Sequence, residues 1–85
     1  WHIYVVEMAP EIRDSVIARL QAHQIASNVH YHPIHLQPYY RSLGFAEGDF
    51  PLAEAYAQSA LTLPLYADLS FAEQDEVIAA LENAL

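Results

Sequence analysis

Neither cysteine nor lysine occurs among the 85 residues. The first absence removes disulfides, thiolate nucleophiles and cysteine-containing zinc sites, and it fits a reducing compartment. The second removes every primary amine on a side chain, and with it any covalent chemistry that needs a lysine. Only three residues are basic (Arg13, Arg19 and Arg41), against eleven acidic ones. They lie apart, so no basic patch exists to neutralise a phosphate backbone, and nucleic acid is not an expected partner. A formal net charge of -8 repels anionic lipid surfaces. No apolar run approaches the roughly 18 residues that a membrane-spanning helix requires. Glycine is confined to Gly44 and Gly48, which leaves no glycine-rich phosphate loop. The expectation is a soluble, cytoplasmic domain without membrane contact.

A chain of this length makes one domain with a small core, since it hides only about 60% of the surface its unfolded form exposes. Its apolar share is that of a folding sequence. It begins with Trp1, without an initiator methionine or a signal-type segment, and is expected to be a piece of a longer protein.

Along the chain, Trp1 to Val6 is rich in aromatic and β-branched residues and predicts a strand buried on both faces. Ile12, Val16, Ile17 and Leu20 recur at helical spacing after Pro10, predicting an amphipathic helix to about Gln24 with Arg13, Asp14 and Arg19 on its solvent side. A second strand is expected at Asn28 to Tyr31, ended by Pro33. Pro38 opens a helical turn through Leu43 that Gly44 closes. Gly48-Asp49-Phe50-Pro51 starts another helix, to about Ser59, with Asp49 as the capping carboxylate. Leu61, Leu63 and Leu65 alternate with Thr62 and Pro64 as an edge strand. Ser70 and Glu73 have capping-box spacing, and Val77, Ile78, Leu81 and Leu85 form the apolar stripe of a last helix. The predicted fold class is α+β: a small antiparallel or mixed sheet of about three strands with helices packed on one face.

The densest feature is Asn28 to Tyr40, NVHYHPIHLQPYY, with three histidines and three tyrosines. On an extended strand His30 and His32 project to one face and, with His35, could offer imidazoles to zinc. Pro33 interrupts that strand, no carboxylate lies nearby in sequence, and three ligands must converge within about 2.1 Å of a metal. A second reading makes these side chains partly buried and hydrogen-bonded, the tyrosines packing by their rings. The preferred reading is that they line a pocket, because imidazoles and phenols beside a strand end are the sparse polar groups that orient a ligand.

The order Asn28-Val29-His30-Tyr31-His32-Pro33-Ile34-His35-Leu36, Pro38-Tyr39-Tyr40, Gly48-Asp49-Phe50-Pro51, Ala53-Glu54 and Leu63-Pro64-Leu65-Tyr66 resembles the C-terminal end of the DegT/DnrJ/EryC1/StrS family. Those are pyridoxal-phosphate-dependent nucleotide-sugar aminotransferases, and the resemblance covers essentially the whole chain. It implies that residues 1–85 form the small C-terminal domain of a fold-type I aminotransferase. Val29 to Tyr40, Gly48 to Pro51 and Gln74-Asp75 look most like the branch serving pseudaminic acid biosynthesis. That branch moves an amino group from glutamate to a UDP-linked 4-keto-6-deoxy-hexose. Two departures stand out: His32 replaces an apolar residue of many relatives, and Ala67-Asp68 replaces a Pro-Gly turn.

The resemblance further implies that the cofactor's lysine and phosphate cradle lie in a large domain of the same chain. This segment would then be inactive alone, with no catalytic, cofactor-binding or metal residue of its own. The active site would lie at a homodimer interface, and His30, Tyr31, His32 and His35 would line the nucleotide-sugar pocket. Cut away from that large domain, the segment is expected to self-associate through its former interdomain face. The alternative is a stand-alone ligand- or metal-binding module that uses the histidine-rich loop.

Overall fold

The sheet is organised around Ala60–Leu63, the second of two strands in a computed structural model that describes residues 2–85. The element order is β1 (Tyr4–Glu7), α1 (Pro10–Ala22), a 3-10 turn (Ile34–Leu36), α2 (Pro38–Ser42), α3 (Pro51–Ser59), β2 (Ala60–Leu63) and α4 (Phe71–Ala84). Strands β1 and β2 pair antiparallel, from Tyr4 opposite Leu63 to Glu7 opposite Ala60. On the other edge of β2, Thr62 and Asn28 exchange both backbone hydrogen bonds, at 2.7 and 3.1 Å. The α+β class is as the sequence predicts. The third strand, however, contracts to this single bridge, and β2 is flanked on both sides rather than lying at an edge.

Side chains alternate across a strand, so Val6, Leu61 and Leu63 share one face and Thr62 the other. The first set packs with Val16, Leu20, Ile17, Ala80, Leu81 and Ala84, which places α1 and α4 on one face of the sheet. Val16, Leu20 and Leu61 are fully buried. Two expectations shift. Strand β1 is half-buried rather than covered on both faces, with Tyr4 exposed, and Trp1 lies outside the described residues. The apolar stripe of α4 runs through Val77, Ala80, Leu81 and Ala84, while Ile78 and Leu85 face outward.

The helix ends explain most of the boundaries. Helix α1 stops two residues earlier than expected, in a Schellman motif: the Ile25 amide reaches the Leu20 carbonyl, and the Gln24 amide reaches that of Gln21. Gln24 takes the left-handed position, φ 60°, where glycine is the usual signal. Helix α2 ends the same way with Gly44 at φ 105°, the Phe45 amide reaching the Tyr40 carbonyl while the two rings touch. Helix α4 opens on the expected capping box, the Ser70 hydroxyl accepting from the Glu73 amide and the Glu73 carboxylate from the Ser70 amide.

Arg13 and Arg19 do not simply face solvent. Arg13 Nη1 donates to the Ala57 and Ala60 carbonyls, where α3 runs into β2, and Arg19 donates to the Ala84 carbonyl at the end of α4. Residues 28–56 contribute nothing to the core cluster and form an aromatic lobe beside it. The radius of gyration is 14.9 Å, against about 12 Å for a compact globule of this length.

Candidate ligand groove

Helix α3 has no capping side chain at its N-terminal residue, Phe50, so the orphan amides before it need another acceptor. Glu54, one turn into the helix, folds back to supply one. Its Oε1 lies 2.8 Å from the Gly48 amide, and its Oε2 lies 3.1 Å from both the Gly48 and Phe50 amides. Asp49, expected in this role, instead accepts from the Ala46 amide and closes the preceding turn. The Gly48 amide above all holds the Glu54 carboxyl below its ordinary range, with Phe50 and His35 adding to the effect against some desolvation.

The same carboxylate anchors the histidine loop. His35 Nε2 is 3.2 Å from Glu54 Oε2, and the imidazole meets Phe50 edge to face with 4.8 Å between centroids. His35 is only 7% exposed. Around this pair opens a groove of about 490 Å³, walled by Tyr31, Ile34, Tyr40, Phe45, Phe50 and Tyr56, with His32 and His35 supplying imidazoles. Its volume suits a small molecule, and its lining is a largely apolar surface with few polar groups.

Three of the four expected site residues therefore meet: Tyr31, His32 and His35. Tyr31 is 67% exposed, so its ring has little packing of its own, and His32 is also exposed. His30 lies elsewhere, in a hollow with Asn28, Thr62 and His2, on the side of the sheet to which Thr62 points. Asn28 Oδ1 accepts from the Val29 amide at 2.8 Å, which turns Nδ2 toward His30 Nε2 at 3.4 Å. His30 Nδ1 then donates to the buried Thr62 hydroxyl at 2.9 Å. Both its nitrogens are engaged, and its ring meets that of Tyr31 in a T-shaped contact with 4.5 Å between centroids. Among the described residues no three histidine, aspartate or glutamate side chains converge as metal ligands.

Phe50 and Tyr56 line the groove and Glu54 anchors His35 beside it, none of which the histidine-rich pattern announces. The available signal was a glutamate in the first helical turn after Gly48-Asp49-Phe50-Pro51, placed to reach the amides of that turn.

Fold and groove together define a small α+β domain with an open aromatic groove. The DegT/DnrJ/EryC1/StrS aminotransferase family model matches residues 1–82, and the chain belongs to that family. It is 37% identical to the spore coat polysaccharide biosynthesis protein SpsC of Bacillus subtilis, over 98% of this chain and 23% of SpsC. With the GDP-perosamine synthase of Caulobacter vibrioides the identity is 44%, over 86% of this chain and 19% of the synthase. Among solved structures, the apo form of the sugar aminotransferase Spr1654 from Streptococcus pneumoniae superposes with a TM-score of 0.90 at 36% identity. That match covers 98% of this chain and 22% of Spr1654, which has also been solved in a PLP form. The chain thus spans less than a quarter of the length of these relatives.

Pyridoxal phosphate, the cofactor of this family, needs a lysine amine and a cradle of phosphate donors. The residues here do not fit it. The sequence has no lysine. Of its arginines, Arg13 and Arg19 are turned to backbone carbonyls, and Arg41 binds the Leu36 carbonyl at 2.7 Å and lies 3.8 Å from Glu47.

Proposed function

We propose that this chain is the small C-terminal domain of a pyridoxal-phosphate-dependent nucleotide-sugar aminotransferase, inactive alone, whose aromatic groove forms one wall of the sugar-nucleotide pocket. A large domain of the same chain supplies the cofactor and its lysine. A homodimer completes the site, in the cytoplasm. The reaction is transfer of the amino group of glutamate to a UDP-linked 4-keto-6-deoxy-hexose, as in the pseudaminic acid branch that the Val29 to Tyr40 run resembles.

The observation that carries this reading is the groove, in which Tyr31, His32 and His35 meet on an apolar aromatic surface within a chain that holds no cofactor anchor. Phenols and imidazoles are suited to sugar hydroxyls, and the aromatic faces to a ring. His30 contributes by holding the loop to Thr62, which revises its expected direct contact. A free-standing metal module gains no support, because His30 lies apart from His32 and His35 and no three potential ligands converge among the described residues.

The test is steady-state kinetics of the intact enzyme carrying this chain, with Tyr31, His32 and His35 each replaced by alanine. KM for the sugar nucleotide should rise while KM for glutamate holds, and UDP-linked substrate should outperform its GDP-linked counterpart. Unchanged sugar KM and kcat across the set contradict the pocket role.

A further inference from the structure

Glu54 carries two duties at once, and the second has a chemical consequence for the groove. An ionised carboxylate only accepts hydrogen bonds. The Glu54 carboxyl already takes the Gly48 and Phe50 amides, an arrangement that keeps it ionised. The nitrogen of His35 that meets it, Nε2 at 3.2 Å, must therefore be the protonated one. In the neutral ring, Nδ1 is then a bare acceptor. No described side-chain donor or backbone amide bonds to Nδ1; the ring's one hydrogen bond is the one to Glu54. Nor does any buried side-chain nitrogen or oxygen among the described residues lack a partner. An unpartnered Nδ1 on a residue only 7% exposed is therefore not fully enclosed, and the cavity that His35 lines is the groove.

The surroundings restrict what can answer that acceptor. The groove lining contains no arginine. Its other titratable groups are His32 and the phenols of Tyr31, Tyr40 and Tyr56, and the chain as a whole is strongly acidic. A diphosphate offers further acceptors and no donor, so it has nothing to give a bare Nδ1. A hydroxyl or a ring N–H does, and the aromatic walls accept the flat or apolar face of the ring that bears it.

We infer that Glu54 is a positioning residue that fixes His35 as a one-sided acceptor, so that this groove selects a neutral ring bearing a hydrogen-bond donor and leaves the diphosphate to other parts of the site. This rests on the sugar-nucleotide reading and assigns the part of that ligand the groove holds. Sugar hydroxyl and base N–H share the chemistry, and separate probes tell them apart.

The experiment is histidine 15N NMR on the intact enzyme carrying this chain, at a pH where imidazoles are neutral. His35 is assigned through a His35→Gln variant. Unliganded protein should show a protonated Nε2 and a pyridine-like Nδ1, a reading that needs no folded Glu54 variant. Methyl glucoside or uridine should then move the Nδ1 resonance, identifying sugar or base respectively, while P1,P2-dimethyl diphosphate, a diester without an O–H donor, leaves it in place. In Glu54→Gln the tautomer preference should weaken and KM for the sugar nucleotide should rise about fivefold to tenfold, the loss of one hydrogen bond, with kcat unchanged. A protonated Nδ1, a response to the dimethyl diphosphate alone, or no response to either neutral probe overturns the inference. Each of these can occur in an enzyme that still transaminates nucleotide sugars. An enzyme that binds the neutral probes at Nδ1 but does not use nucleotide sugars instead defeats the broader reading and leaves this one standing.

Discussion

Arg13 Nη1 lies 2.7 Å from the carbonyl oxygen of Ala57, 44 positions further along the chain. The same nitrogen reaches the Ala60 carbonyl at 3.2 Å, so one guanidinium caps the end of α3 where it passes into β2. Hydrogen bonds from a charged group to partly buried carbonyls contribute about 1.5 to 3 kcal/mol. Arg13→Ala should lower stability by about that amount, and Arg13→Lys should restore only part of it, because an ammonium lacks the planar fork. Urea denaturation of the two variants checks both statements.

Gln24 occupies the left-handed position of the α1 Schellman motif, which costs a side-chain-bearing residue about 1 kcal/mol relative to glycine. Gln24→Gly should therefore raise the denaturation midpoint, an uncommon direction for a glycine substitution. A lowered midpoint would show that the Gln24 side chain contributes more than its backbone strain costs.

Two carboxylates should shape the acid limb of stability. The Gly48 amide, with Phe50 and His35, lowers the Glu54 pKa from 4.5, and the Tyr66 hydroxyl, with Ser70, lowers that of Glu73. A depressed folded value gives stability that is fully present above the unfolded value of 4.5 and is lost as pH falls through the folded value. Glu54→Gln should flatten the stability profile below pH 4.5. Denaturation midpoints measured down through that range decide the matter, and an unchanged acid slope in the variant would refute the assignment.

Ile34, Tyr39, Leu43, Phe50 and Leu52 are each at least half exposed on the lobe that carries the groove. So much apolar surface is uncommon on a stable monomer. The 85-residue chain by itself should self-associate with concentration in analytical ultracentrifugation. A clean monomer throughout would show that this face tolerates water.

The helices were legible because apolar spacing and local caps report on the chain's nearest neighbours: Pro10, Pro38, Pro51, Gly44 and the Ser70–Glu73 pair all act where the sequence places them. Features that depend on distant partners were not. Asn28 to Tyr31 has strand-like composition, yet it pairs only at Asn28, because the chain turns away to carry His32 to His35 across to Glu54. Arg13 and Arg19 look like solvent-facing charges until the carbonyls of residues 57, 60 and 84 arrive beside them. The histidine cluster was visible as a cluster, but its division between a sheet face and a groove was not. That division follows from Thr62 pulling His30 to one side while Glu54 draws His35 to the other.

The most direct test of the account is to supply the purified 85-residue chain with pyridoxal phosphate, glutamate and a UDP-linked 4-keto-6-deoxy-hexose, alongside the intact enzyme that carries it. The account predicts no covalent cofactor absorbance and no amino-sugar product from the chain alone, and both from the intact enzyme. Product formed by the isolated chain would contradict it.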